Sequence, residues 1–199
     1  MRAGELKDRI SIMELRQSQS GPNEAYTWEV AAAVWAKAEK LDKVNIFSSV
    51  GLGVKSVKFT IRKTNLTLHN AISWNRLHCF LTDIAEINRA ALEITAALIE
   101  PKPCMATRTS TAKGDLNRPV ETATGTVTFP GCLIEKYLGH NRGESMAEEE
   151  QRFVLVAPKP IELVSGELVK VDGQPYEVLL AHKLDEYKNE YEIERRHNP

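Results

Sequence analysis

The sequence predicts an all-β protein built as two tandem small antiparallel β-barrels, with few or short helices. Three observations carry this expectation. The half from residue 1 to 100 repeats the apolar pattern of the half from 101 to 199. Turn-forming Gly, Pro, Asn and Asp recur between short apolar runs in both halves. The one segment that propensity would make a helix, "WEVAAAVWAKAEKL" (Trp28 to Leu41), aligns with a segment that no helix interior tolerates.

The repeat is clearest from Phe59 onward. Phe59 and Ile61 meet Phe153 and Leu155; Leu66 and Leu68 meet Ile161 and Leu163. Further on, Trp74 and Leu81 meet Val171 and Val178, and Leu92 and Ile94 meet Tyr191 and Ile193. The offset drifts from 94 to 99, in steps that fall where loops accept insertions. Extended backwards, Ala38-Glu39-Lys40 falls on Ile134-Glu135-Lys136, so the partner of the alanine-rich segment is "TVTFPGCLIEKYL". That partner holds Pro130-Gly131 and a cluster of β-branched residues, which suit an edge or bulged strand. The period-two spacing of Trp28, Val30, Ala32, Val34 and Ala36 then outweighs the helical propensity of the alanines.

The other elements follow in order. "RISIMELR" (Arg9 to Arg16) and "CMATRTST" (Cys104 to Thr111) read as first strands, each leading into a polar loop, "QSQSGPNEAYT" or "AKGDLNRPVETATG". After each second strand comes a longer loop, "DKVNIFSSVGLGVKS" in the first half and "GHNRGESMAEEEQ" in the second. Three or four short strands close each unit, including hairpins around "SWNRLHCFL" and "VKVDGQPYEVLL", the latter with an Asp172-Gly173 tight-turn signal. Two prolines in "EPKPC" place the boundary near residue 100.

The bulk properties are those of an ordinary globular chain: 199 residues, 42% hydrophobic, 27% charged, net charge −1. The first hundred residues hold 13 basic and 11 acidic side chains, the remainder 13 and 16. No basic block exists to neutralise a phosphate backbone, which argues against general nucleic-acid affinity. The start, "MRAGELKDRISIMELRQ", has no apolar leader, and no run approaches the ~18 apolar residues of a membrane helix, so no membrane association is expected. Cys79, Cys104 and Cys132 are odd in number and widely spaced, as free buried thiols would be.

Enzyme signatures are missing: no phosphate-binding glycine loop, no GxSxG, no HExxH and no CxxC. No catalytic residue, metal or cofactor is therefore expected. His78 and Cys79 are neighbours on a strand and so point to opposite faces. Glu148-Glu149-Glu150 lacks the interleaved Asn and Gly of a calcium loop and reads as a solvated run. Trp28, Trp35 and Trp74 lack flanking cationic clusters and read as core or interface aromatics. The loop from Asp42 to Ser56 carries an unusual apolar load, with Ile46, Phe47, Val50, Leu52 and Val54 around Gly51 and Gly53, and suits burial between subunits.

Taken in order, "AGELKDRISI", a Trp followed by "VWAKAE", a long loop, "KFTIRKTN", "ISWNRLHCFL" and "ALEITA" resemble the head-tail joining family of tailed bacteriophages, also called head-completion or stopper proteins. The resemblance covers Met1 to about Glu100; in the second half it runs through the duplication and an Asp-Gly-x-x-Tyr hairpin. It implies a structural protein of the virion neck, assembled in the host cytoplasm as a homo-oligomeric ring of six or twelve copies. Such a ring sits between portal or adaptor and the tail tube or terminator, and genomic DNA passes through its channel. Asp42, Lys43, Asn45, Ile46, Phe47, Val50, Leu52 and Val54 take the place of the family's channel loop. Glu144, Glu148, Glu149 and Glu150 form the matching acidic loop of the second half, facing lumen or solvent. Two alternatives stand beside this reading: a tail terminator or tail-completion protein, and an SH3-like or OB-like nucleic-acid-binding module.

Overall fold

The computed structural model describes residues 3–44, 54–113, 119–135, 152–182 and 186–196. These residues form twelve strands and no α-helix, with one 3-10 turn at Ala3–Glu5, as the all-β expectation requires. The first six strands are β1 (Asp8–Ser20), β2 (Asn23–Val44), β3 (Val54–Arg62), β4 (Ala71–Trp74), β5 (Leu77–Asn88) and β6 (Ala91–Leu98). The second six are β7 (Lys102–Lys113), β8 (Pro119–Glu135), β9 (Arg152–Pro158), β10 (Leu168–Val171), β11 (Gln174–His182) and β12 (Lys188–Arg195).

The chain divides into two compact units. Described residues within 1–15, 28–101 and 135–139 belong to the first, and those within 16–27, 102–134 and 140–199 to the second. The division thus gives the tip of the β1–β2 hairpin to the second unit.

Strand pairing closes two rings. The first runs β1-β4-β5-β6-β3-β2 and returns to β1; the second runs β7-β10-β11-β12-β9-β8 and returns to β7. Each ring therefore orders its strands first, fourth, fifth, sixth, third, second. Registers repeat as well. Ile10 faces Trp74 as Cys104 faces Val171. Phe59 faces Ile94 as Phe153 faces Ile193, and Ile61 faces Leu92 as Leu155 faces Tyr191. Closure removes most free edges, which is how a small antiparallel sheet avoids templating further strands.

The first core gathers Ile10, Ala36, Phe59, Ile61, Ile72, Trp74 and Ile94, with Phe59 and Trp74 in an edge-to-face contact 5.6 Å apart. The second is built on Val127, Phe129, Leu155, Val169, Val171, Val178, Tyr191 and Ile193. β2 settles the conflict over its period: Ala36 is fully buried and Ala38 partly so, while Trp35, Lys37 and Glu39 are exposed. Ala36 and Ala38 lie opposite Ile61 and Phe59 of β3, so burial against that strand enforces the two-residue repeat.

Some expected loops are strands. The polar stretch expected between the first two strands is a β-ribbon, reversed only at Gly21-Pro22, where Gly21 has φ +61°. In the second half, strand runs to Lys113 and resumes at Pro119. Their Ser, Thr and Gln content suits a ribbon as well as a loop, and cross-strand pairing decides for the ribbon. β2 and β8 are accordingly long, 22 and 17 residues, where short strands were expected.

Candidate functional site

The candidate site lies on the first unit, along β2. β1 pairs with one edge of this strand. On the other edge β3 pairs from Ala36 to Val44, and β8 pairs in parallel with Glu24 and Ala25 alone. From Trp28 to Trp35 that edge has no strand partner among the described residues, and Glu29 to Ala33 are exposed. Its side chains are mostly small and apolar, and Val30 is 62% exposed.

At the upper end of this edge β3 peels away from β2 just after the Ala36–Ile61 pair. Leu6, Val34 and Trp35 then face Arg62, Lys63 and Thr64 across a groove of about 540 Å³. Trp35 stays 53% exposed because its odd position turns it away from the barrel interior. The Arg9 guanidinium lies over its ring, 5.6 Å from the centroid, a cation–π contact. Lys63 pairs with Glu86 at 2.7 Å, while Arg62 has no ion-pair partner among the described residues. The groove therefore offers an aromatic face rimmed by cationic side chains, beside a row of backbone donors and acceptors available for pairing.

A second feature belongs to the second unit. The Asn23 carboxamide oxygen accepts hydrogen bonds from the Thr126 backbone N–H and hydroxyl, both at 3.0 Å. Glu24 and Ala25 lie opposite Val127 and Thr128. A Cβ at Gly125 would come within 2.1 Å of the Pro22 carbonyl oxygen, so only glycine permits this approach. The hairpin tip is thus seated on the edge of β8 by residues specific to that place.

His78 and Cys79 do not form a nucleophilic pair. Burial pushes the Cys79 thiol up to about 12 and the His78 imidazole down to about 4, so both are neutral near neutral pH. His78 packs against Trp28 with ring centroids 5.6 Å apart. Cys104 and Cys132 are likewise free and buried, with thiols raised to about 12 by burial. No group of three His, Cys, Asp or Glu among the described residues is arranged to hold a metal ion.

Of the channel-loop residues expected from the sequence, Asp42 and Lys43 fall near the end of β2 and Val54 opens β3. Asn45, Ile46, Phe47, Val50 and Leu52 lie outside the described residues, as do Glu144, Glu148, Glu149 and Glu150. The Trp35 groove was not anticipated. The outward parity of Trp35 was a signal in the sequence; the divergence of β3 that brings Arg62 to Thr64 alongside was not.

No family model, curated protein or solved structure matches the chain.

Proposed function

We propose that the chain is a structural protein of the virion neck of a tailed bacteriophage, a head-tail connector of the head-completion type. In this reading six or twelve copies form a ring below the portal or its adaptor, seal the DNA channel and dock the tail. The observation that supports it most is where the resembling motifs fall. "AGELKDRISI" leads into β1, "VWAKAE" lies in β2, "KFTIRKTN" spans β3 and the turn after it, "ISWNRLHCFL" is the β4–β5 hairpin and "ALEITA" lies in β6. Every motif is thus one strand or turn of a single closed six-stranded ring. A net charge of −1 suits a conduit, because a basic lumen would retain the DNA it must release.

The test is the mass of the purified protein by light scattering, alone and with portal-adaptor rings, followed by ring averages in the electron microscope. Entry into a six- or twelve-copy ring on the adaptor supports the proposal. Binding to tail tubes and not to the adaptor replaces it with tail completion. Salt-dependent oligonucleotide binding with no ring replaces it with a nucleic-acid-binding module.

A further inference from the structure

The edge of β2 between Trp28 and Trp35, which no described strand pairs with, lacks the lysines and prolines that keep exposed strand edges from pairing. It has no lysine and no proline, and Glu29 is its single charged side chain. The corresponding edge of β8 is occupied by Glu24 and Ala25. The same seat cannot be repeated on β2, because the position matching Gly125 is Glu29, whose Cβ would meet an arriving hairpin where Gly125 meets Pro22.

We propose that this edge pairs antiparallel with the same edge of a second copy of the chain, forming a two-fold dimer centred on Ala32. Charge fixes the register. With Ala32 opposite itself, Val30 faces Val34 of the second copy, Ala31 faces Ala33, and Glu29 faces Trp35. That places the one carboxylate of each edge at the mouth of the other copy's groove, next to Arg9, which lies over Trp35, and to Arg62. Centring on Ala31 or Val30 sets Glu29 against alanine and leaves those cations unanswered. In the Ala32 register, paired residues share a face of the joined sheet, so Val30 is covered by Val34 of the second copy on one face and Trp35 by Glu29 on the other. The contact is isologous and closes with two copies. It does not depend on the neck reading.

A self-opposed residue gives a direct test. Ala32 is exposed, so Ala32→Lys and Ala32→Glu should each fold with an unchanged melting temperature. The wild-type chain should shift from monomer to dimer mass as its concentration rises. Each variant alone should stay monomeric, because like charges meet across the axis. An equimolar mixture of the two should recover the dimer as a one-to-one heterodimer. A wild-type chain that is monomeric at every concentration overturns the proposal, as does an Ala32→Lys variant that dimerises like the wild type. Adaptor binding is scored separately: Ala32→Lys that fails to dimerise yet enters an adaptor ring supports both readings, and loss of adaptor binding by the wild type removes the neck reading alone.

Discussion

β2 and β8 hold the same place in two rings of the same strand order, yet their outer edges are finished differently. On β8 the edge is closed within the chain by Glu24 and Ala25, and three residues are fitted to that purpose: Gly125 leaves room for Pro22, Thr126 donates twice to Asn23, and Thr128 donates its hydroxyl to the Glu24 carbonyl at 3.4 Å. On β2 the matching residues are Glu29, Val30 and Ala32, and no described strand pairs with that edge. A duplicated strand therefore keeps its inward face, which the core dictates, while its edge is free to diverge toward whatever pairs with it. Gly125→Val breaks this contrast most severely. The added side chain cannot coexist with the Pro22 carbonyl, so the hairpin must lift from β8. The expected loss is about 3 kcal/mol in chemical denaturation, with faster amide exchange at Val127 and Thr128.

In the first ring a buried histidine ties stability to pH. His78, packed on Trp28 in the first unit, has its pKa lowered from 6.5 to about 4 by burial. The unfolded chain takes up a proton there below about pH 6.5, and the folded chain does so only near pH 4. This contribution to stability is complete above the unfolded value, falls as pH drops from 6.5 to 4, and levels off below. Allowing for the partial exposure of the ring, about 2 kcal/mol should disappear across that window. Since carboxylates titrate in the same range, the measurement is a difference: His78→Gln should flatten the curve between pH 6.5 and 4 relative to wild type. An unchanged slope would show that His78 is solvated in the folded protein.

The loops between the third and fourth strands of each ring make a smaller comparison. In the first, Asn70 organises its own loop, accepting from the Thr67 N–H at 2.9 Å and donating to the Met13 carbonyl. In the second, the loop is held from β12: the Tyr191 hydroxyl donates to the Ile161 carbonyl at 2.7 Å and accepts from the Leu163 N–H at 3.0 Å. Asn189 donates to the carbonyls of Lys159 and Ile161. Ile161 and Leu163 are fully buried beneath these bonds, whereas Leu66 and Leu68 are only partly buried. Tyr191→Phe leaves the Ile161 carbonyl with Asn189 but strips the Leu163 N–H of its acceptor. A loss of about 1.5 kcal/mol is expected, against a smaller one for Asn70→Ala, whose bonds lie nearer solvent. Equal losses would mean that the two loops are held alike.

Much of the fold was legible because apolar residues face the core at fixed intervals. The pairs Phe59 with Phe153 and Leu92 with Tyr191 sit in equivalent registers, since burial on a period of two leaves little freedom to slip. What was not legible lies outside the cores. Nothing in "QSQSGPNEAYT" distinguishes a ribbon from a loop, because only Tyr26 of it is buried and the deciding interactions are backbone hydrogen bonds. Nor could the groove be read, since Leu6, Trp35 and Arg62 meet only where two strands part. Trp35 itself could be placed outward by parity, but a sequence does not say whether an outward residue has a neighbour.

The finest comparison is between the two tight hairpins. Both have two-residue turns, between Trp74 and Leu77 and between Val171 and Gln174, with both central residues at positive φ: Asn75 at 50° and Arg76 at 64°, Asp172 at 51° and Gly173 at 80°. These are the dihedrals of a type I′ turn, which Asn-Gly and Asp-Gly suit best. Glycine reaches positive φ without steric cost, while the Cβ of Arg76 crowds the backbone there. Arg76→Gly should therefore stabilise the first hairpin, and Gly173→Arg destabilise the second, each by about 1 kcal/mol in thermal or chemical unfolding. The greater freedom of glycine in the unfolded chain opposes the strain term in both substitutions alike, so the two shifts should be similar in size and opposite in sign. A loss of stability on Arg76→Gly would mean that the arginine side chain contributes a contact worth more than the strain of its backbone.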